Sequence, residues 1–374
     1  MRTKRSLKLL LHPAPLLVLL MLLTFACDRR PLHVLLDERV NVKVVVNWQV
    51  NYVTLYGDEP NGMSVMVWRD GVGQPTIKAT NSNSVTLSLT PGTYYMMVFN
   101  ELREDYNPRL KFNDIDNYDM LTVTANSYRG YGWDEGVTYM YSPDDPRMCV
   151  ALDTLEITQE MLIKDTTIII PYEEFLNNDS AKYRQSELVY EIDEITWPMT
   201  VDLFIKAHVK HRQSIKDIDG SISGMADGFL VSRINRTSTP GALRFYPEMF
   251  ENFKLGEDAD SMGLITVRVP TFGLPFGKEL LEQREDGDNI LTFHVTLVND
   301  SIHHESFRVG KQIRYITPEG KEAQVRYRED LRNLLLEIDL SETIVVPIAE
   351  KPVGAGFDAK VDDWEDGGSI DIGL

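Results

Sequence analysis

The chain has 374 residues, 43% hydrophobic and 25% charged, with a formal net charge of −19 and two cysteines. That acidity excludes a nucleic-acid surface, which needs a basic footprint, and excludes electrostatic adhesion to anionic lipid. A chain of this length buries a large core without disulfide staples, and its size suggests two domains.

The first stretch is a leader. Arg2, Lys4, Arg5 and Lys8 make a basic start without acid, the apolar run Leu16 to Leu23 follows, and Thr24-Phe25-Ala26-Cys27 closes it. This order predicts a secretory signal peptide over 1–26. The run is shorter than the ~20 residues of a membrane span, and Pro13 and Pro15 would break a longer helix. A small residue directly before Cys27 resembles the lipobox of bacterial lipoproteins. That likeness implies cleavage ahead of Cys27 and a lipid, palmitate among its acyl chains, on the new terminus. Thr24 stands where that motif usually carries Leu. Losing the four leader bases takes the formal charge from −19 to −23. Lipid on Cys27 is then the membrane attachment that the sequence offers.

Residues 27–38 read as a spacer. From Asn41 to Val50 the residues alternate, with Val42, Val44, Val46 and Trp48 on one face, as a half-buried strand requires. Further strands are predicted at Met63–Trp68, Ser84–Thr90 and Thr93–Asn100, the last two joined at Pro91-Gly92. Residues 101–147 read as long connecting loops with one strand near Met120–Thr124, and Ile157 and Thr166–Pro171 supply short strands. Cys149 lies in an apolar setting and reads as an inert core thiol. Pro171 to Tyr190 reads as a helical or coil interlude, poor in β-branched residues, and the domain boundary is expected within it, near residue 188.

The second half opens at Trp197-Pro198 with a long strand whose inner face is Met199, Val201, Leu203, Ile205, Ala207 and Val209. Lys216–Gly220 reads as a turn into one strand, Ser221–Val231, interrupted by Gly224 and Gly228. Later strands are expected at Gly263–Pro270, Asn289–Val298, Ser306–Val309, Gln324–Tyr327 and Leu334–Leu340, with His303-His304 in a hairpin turn. Short strands without helical periodicity predict an all-β protein of antiparallel sandwiches. The expected division is a sandwich over 39–187, a second over 188–350 and a Gly/Asp-rich tail over 351–374.

No Walker loop, dinucleotide fingerprint, HExxH, CxxC or Gly-x-Ser-x-Gly is present, so no catalytic residue, cofactor or metal site is assigned and the chain reads as a non-enzyme. His208 and His211 read as exposed polar residues. Asp358, Asp362, Asp363 and Asp366 lack EF-hand spacing and read as solvated tail charge. The positive binding signal is aromatic. Tyr128, Tyr131, Trp133, Tyr139 and Tyr141 crowd a Gly/Asp-rich segment expected to be loop, where rings stack on sugars, anchor a protein partner, or fill the underside of the loop itself. Tyr131, Trp133 and Tyr139 are the candidate ligand contacts.

With these residues in hand, the chain resembles the fimbrillin-associated lipoproteins of Bacteroidales, relatives of the minor-fimbrial anchor proteins. The likeness is carried by the leader ending at Cys27, the Val-x-Val-x-Val-x-Trp48 strand and Pro91-Gly-Thr-Tyr-x-x-x-Val-Phe-Asn100. Ser221-Ile-Ser-Gly-Met-Ala-Asp-Gly228 and the Gly356-Phe-Asp-x-x-Val-x-x-Trp364 tail complete it. It implies two tandem transthyretin-like β-sandwiches, tethered to the outer membrane through lipid on Cys27 at the cell surface, acting as anchor or accessory subunit beside fimbrillin-type partners. The alternative is a glycan-binding surface lipoprotein working beside polysaccharide uptake, motivated by the aromatic segment.

Overall fold

The computed structural model describes residues 39–48, 60–100, 108–143, 148–161, 188–192, 197–247, 249–252 and 262–350. The leader, Cys27, the strand expected at 166–171, the interlude up to residue 187 and the tail 351–374 lie outside them. The chain is all-β, built in sandwich fashion from sheets whose strand pairs are mostly antiparallel, with parallel pairs in the two six-stranded sheets. It falls into two compact units. One takes the described residues of Met1–Val44, Thr86–Thr93 and Glu156–Tyr190; the other takes those of Val45–Val85, Tyr94–Leu155 and Glu191–Leu374.

The first unit rests on a three-stranded sheet, Leu188–Ile192 beside Val40–Val46 beside Ser84–Leu89. Val40, Val42, Val44 and Val46 are buried, so the predicted alternation holds residue by residue. Leu188–Ile192 is a strand where the sequence had suggested the end of a coil or helical interlude.

The second unit contains two sandwich cores. One lies between two six-stranded sheets. The inner partner sheet runs Met249–Asn252, Met262–Thr271, Val201–Lys210, Leu335–Asp339, Arg314–Ile316, with Ile344–Val345 also on the Val201–Lys210 strand. The outer runs Ile302–Arg308, Ile290–Leu297, Ile215–Ala226, Pro240–Phe245, Thr138–Met140, Ser127–Arg129. Leu203, Ile205, Ala207 and Val209 point inward from the first sheet, and Ile222, Leu243, Phe293 and Val295 from the second.

The other core lies between a five-stranded and a four-stranded sheet. The five-stranded sheet runs Trp197–Pro198, Cys149–Ile157, Gly92–Phe99, Met63–Arg69, Thr76–Thr80; the four-stranded sheet runs Asn235–Arg236, Gly228–Leu230, Thr122–Ala125, Leu110–Asn113. Trp68, Phe99, Val123, Val150, Phe229 and Phe272 meet there. Phe229 is 1% exposed, and burying a ring of that size contributes roughly 1.5–3 kcal/mol.

The compact units are discontinuous in sequence, and strands from the two sides of residue 187/188 pair with one another. The two cores exchange strands across it. Gly228–Leu230 pairs with Thr122–Ala125, and Trp197–Pro198 pairs with Cys149 and Val150. In the other direction, Leu243 of Pro240–Phe245 pairs with Met140.

The stretch expected as one strand is two, Ile215–Ala226 and Gly228–Leu230, parted at Asp227, and Gly224 puts a bulge in the first of them. Its φ is +77°, and a Cβ there would lie 2.0 Å from the Asp288 carbonyl oxygen. The ladder to Pro240–Phe245 shifts register between Ser223 and Met225. Ile215–Ala226 and Gly228–Leu230 belong to different sheets. Three further expectations are corrected. Lys216–Gly220 is strand rather than turn, because it pairs with Ile290–Leu297. His303 and His304 lie inside Ile302–Arg308, the reversal falling instead at Asn299–Asp300. Gln324–Tyr327 forms no strand. Residues 101–147, read as loop with one strand, also supply Leu110–Asn113, Ser127–Arg129 and Thr138–Met140.

Candidate functional site

The aromatic segment and the outer six-stranded sheet converge on one polar face. Strand alternation places Arg244, Asp219, Ser221, Thr292 and His294 on the face opposite the core, since their neighbours Leu243, Phe245, Ile222, Phe293 and Val295 are core residues. The register sets Ser221 beside Arg244, Asp219 beside His294, and His294 beside His304. The His294 and His304 rings lie 4.7 Å apart.

Arg244 is the centre of this face. Its Nη2 donates to Asp219 Oδ2 at 2.6 Å, and its Nη1 donates to Asp134 Oδ1 at 3.2 Å and to the Tyr131 carbonyl at 3.1 Å. The side chains of Arg244 and Asp134 are 5% and 1% exposed. Burial pulls the Arg244 pKa down, but the hydrogen bond and charge of Asp219 outweigh it and hold the guanidinium above its ordinary value. His294 Nδ1 lies 3.1 Å from Asp219 Oδ1. Burial pushes the His294 pKa below the ordinary value, against the pull of Asp219.

Two tyrosines stand over the arginine. The Arg244 guanidinium carbon lies 4.7 Å from the Tyr131 ring centre and 5.4 Å from that of Tyr246, both within cation–π range. The two hydroxyls are 3.1 Å apart. Tyr131 and Tyr246 are 64% and 54% exposed, so the pair presents an aromatic rim whose underside is fixed by a buried charge. Burial and the Tyr131 hydroxyl push the Tyr246 pKa upward.

The structure thus separates the three expected contacts. Tyr131 is at the surface. Tyr139, expected as a contact, is only 2% exposed and packs with Tyr128, ring centres 5.9 Å apart. Burial, the leading cause, raises its pKa to about 12. It supports the face from below. The Trp133 side chain lies outside the described residues. Tyr128 also stacks on Tyr141, 4.7 Å between centres. Sequence reasoning missed Arg244, Tyr246 and Asp219, which come from the second half of the chain. The residue pattern Arg244-Phe245-Tyr246 held a weak signal, a charged and an aromatic residue on the side of the strand facing away from the core.

Cys149 is buried, 1% exposed. Among the described residues no helix is long and apolar enough to cross a membrane.

Fold and site together define an all-β sandwich protein carrying an aromatic–arginine surface face. The chain belongs to the family described as Domain of unknown function (DUF5119), whose model matches residues 26–245. No curated protein matches the chain. Among solved structures it is similar to a candidate adhesin from Bacteroides ovatus, with 16% identity and a TM-score of 0.52, covering 87% of this chain and 98% of that one. A second candidate adhesin from Bacteroides ovatus has 11% identity, a TM-score of 0.41 and coverage of 80% and 88%. The fimbrial anchor protein Mfa2 from Porphyromonas gingivalis has 11% identity, a TM-score of 0.39 and coverage of 79% and 83%. At these identities the likeness shows the fold alone: the all-β sandwich architecture expected from the sequence is shared with the first of these structures.

Proposed function

We propose that this protein is a lipid-anchored subunit of the outer membrane, facing the cell surface, that anchors or accompanies fimbriae in adhesion and catalyses no reaction. The observation that supports it most is the sandwich fold, shared over 87% of the chain with a Bacteroides ovatus protein named as a candidate adhesin. The leader ending at Cys27 supports the lipid anchor. Cross-linking on intact cells followed by recovery of the protein is expected to bring down fimbrillin-type subunits. Recovery of none across growth conditions overturns the fimbrial reading. Cys27→Ser is expected to take up no labelled fatty acid and to leave the membrane fraction; unchanged partitioning overturns the anchor.

A second reading is favoured by the Tyr131–Arg244–Tyr246 face. Exposed tyrosine rings stiffened by a buried arginine suit stacking on sugar rings. On this reading the protein holds a glycan at the surface, and Tyr131→Ala and Trp133→Ala abolish binding on a glycan array. Absence of binding to every polysaccharide removes it.

A further inference from the structure

Away from that face, a small niche opens where the edges of two facing sheets meet. Trp197–Pro198 is the outermost strand of the five-stranded sheet, and Asn235–Arg236 is that of the four-stranded sheet. The short 3₁₀ stretch Arg328–Asn333 adds Leu331 and Arg332 to the lining. All of these belong to the same compact unit.

Two arginines line the niche, and the fold fixes both. The Arg332 guanidinium carbon lies 3.4 Å from the Trp197 ring centre, stacking contact for a cation on an indole. The contact leaves Nε sealed and without a hydrogen-bond partner. A stacked guanidinium donates in its own plane, so the Nη groups stay available and lose little freedom on binding. Arg236 is pinned instead through Nε, which donates to the Phe272 carbonyl at 2.6 Å. Gly273 makes the room for it: φ is +98° there, and a Cβ would lie 2.6 Å from that Nε.

The two charges are unmatched. Among the described residues no carboxylate pairs with Arg236 or Arg332, and their Nη groups have no hydrogen-bond acceptor. The rest of the lining is Trp197, Pro198, Phe229, Ile234 and Leu331, with no acid in it. The chain as a whole carries 57 acids against 38 bases, so adjoining arginines without an acid are a local inversion of its charge. Two preorganised guanidinium forks aimed at one niche call for an anionic oxygen pair.

Size and walls choose the anion. The niche holds about 20 Å³, close to the room one water needs and far below the ~300 Å³ at which small-molecule sites begin. A planar carboxylate fits that space better than a tetrahedral phosphate, and the body carrying it must lie outside. Pro198, Ile234 and Leu331 give that body an apolar rim suited to methylene groups. The net charge of −19 repels acidic bodies at a distance, but salt screens that field beyond ~10 Å, so attraction acts at contact, one carboxylate at a time. We infer that this niche receives a glutamate side chain of a protein partner, its carboxylate between Arg236 and Arg332 and its two methylenes on the apolar rim.

The site is independent of the fimbrial reading and of the tyrosine face. The test is titration of the full mature chain with the capped tripeptide Gly-Glu-Gly, followed by heteronuclear NMR at the Trp197 indole N–H, which is assigned by its loss in Trp197→Phe. Capped Gly-Gln-Gly and inorganic phosphate are the comparison arms. A saturable shift with the glutamate peptide, a weaker one with phosphate and none with the glutamine peptide are expected. Arg332 donates no hydrogen bond within the described fold, so Arg332→Gln should fold normally by circular dichroism and lose the response. Arg332→Lys keeps the charge without the fork and should weaken binding about tenfold. No shift with the glutamate peptide, a response matched by the glutamine peptide or by phosphate, or full affinity in a folded Arg332→Gln chain each overturn the assignment.

Discussion

Phe229 and Val123 face each other across an antiparallel ladder, although 106 residues of chain separate them. Both residues are buried, at 1% and 0% exposure. The core between the five- and four-stranded sheets is therefore shared by the two halves of the sequence, whereas the core between the six-stranded sheets takes all its buried residues but Met140 from the second half. Fragment 28–187 is accordingly expected to lack a cooperative melt by circular dichroism when made alone. A chain spanning 28–350 retains the paired strands and should melt cooperatively. A cooperative melt from fragment 28–187 would show that the ladder contributes little.

Arg244 neutralises Asp219 and Asp134 where all three are largely out of water. Arg244→Met should cost about 3–5 kcal/mol, because it strands buried carboxylates without compensation. Urea denaturation measures the loss. Adding Asp219→Asn to the same chain is expected to recover part of it, since one uncompensated charge is then removed.

The His294 pKa is depressed in the folded chain below its ordinary value of 6.5, chiefly by burial, with His304 and Arg244 adding to the effect and Asp219 opposing it. The unfolded chain therefore binds the proton more readily. The stability from neutral His294 is fully present above pH 6.5 and is lost as pH falls through 6.5 toward the folded pKa. Melting temperature should drop over that window, and His294→Gln should flatten the drop. An unchanged profile in the variant would place the acid sensitivity elsewhere.

Gly224→Ala combines a left-handed backbone with a Cβ placed against the Asp288 carbonyl. The Asn289 side-chain amide donates to the carbonyls of Ser223 and Gly224, both at 3.0 Å, and holds the bulge. Gly224→Ala should cost roughly 2 kcal/mol or more, and Asn289→Ala about 1–3 kcal/mol. Thermal unfolding of both variants gives the comparison; a neutral Gly224→Ala would mean the bulge relaxes freely.

Cys149 is sealed beneath the sheet. In the native Cys27→Ser chain a thiol reagent should titrate no cysteine until denaturant is added, as for a structural buried thiol.

The strands with clean alternation were legible in the sequence. Val40–Val46, Val201–Lys210 and Met262–Thr271 each bury every second side chain, so period two alone reveals them. Ser127–Arg129 and Thr138–Met140 are three residues long and sit among Gly and Asp, too short for a period to register. Lys216–Gly220 reads as a turn because Lys, Asp and Gly favour turns, and tertiary pairing with Ile290–Leu297 overrides that preference. The candidate site was half legible. Tyr131 stands out by its aromatic company. Arg244 and Tyr246 join it through a sheet edge that no local pattern announces, because Leu243 pairs with Met140 more than a hundred residues away.

The strand exchange also has a mechanical meaning. The chain crosses from one sandwich core to the other and back, with Thr138–Met140 lent in one direction and Gly228–Leu230 in the other. A pull that draws these two cores apart must unpair both loans together, so they are expected to yield as one load-bearing body with a single rupture event rather than as two links of a chain.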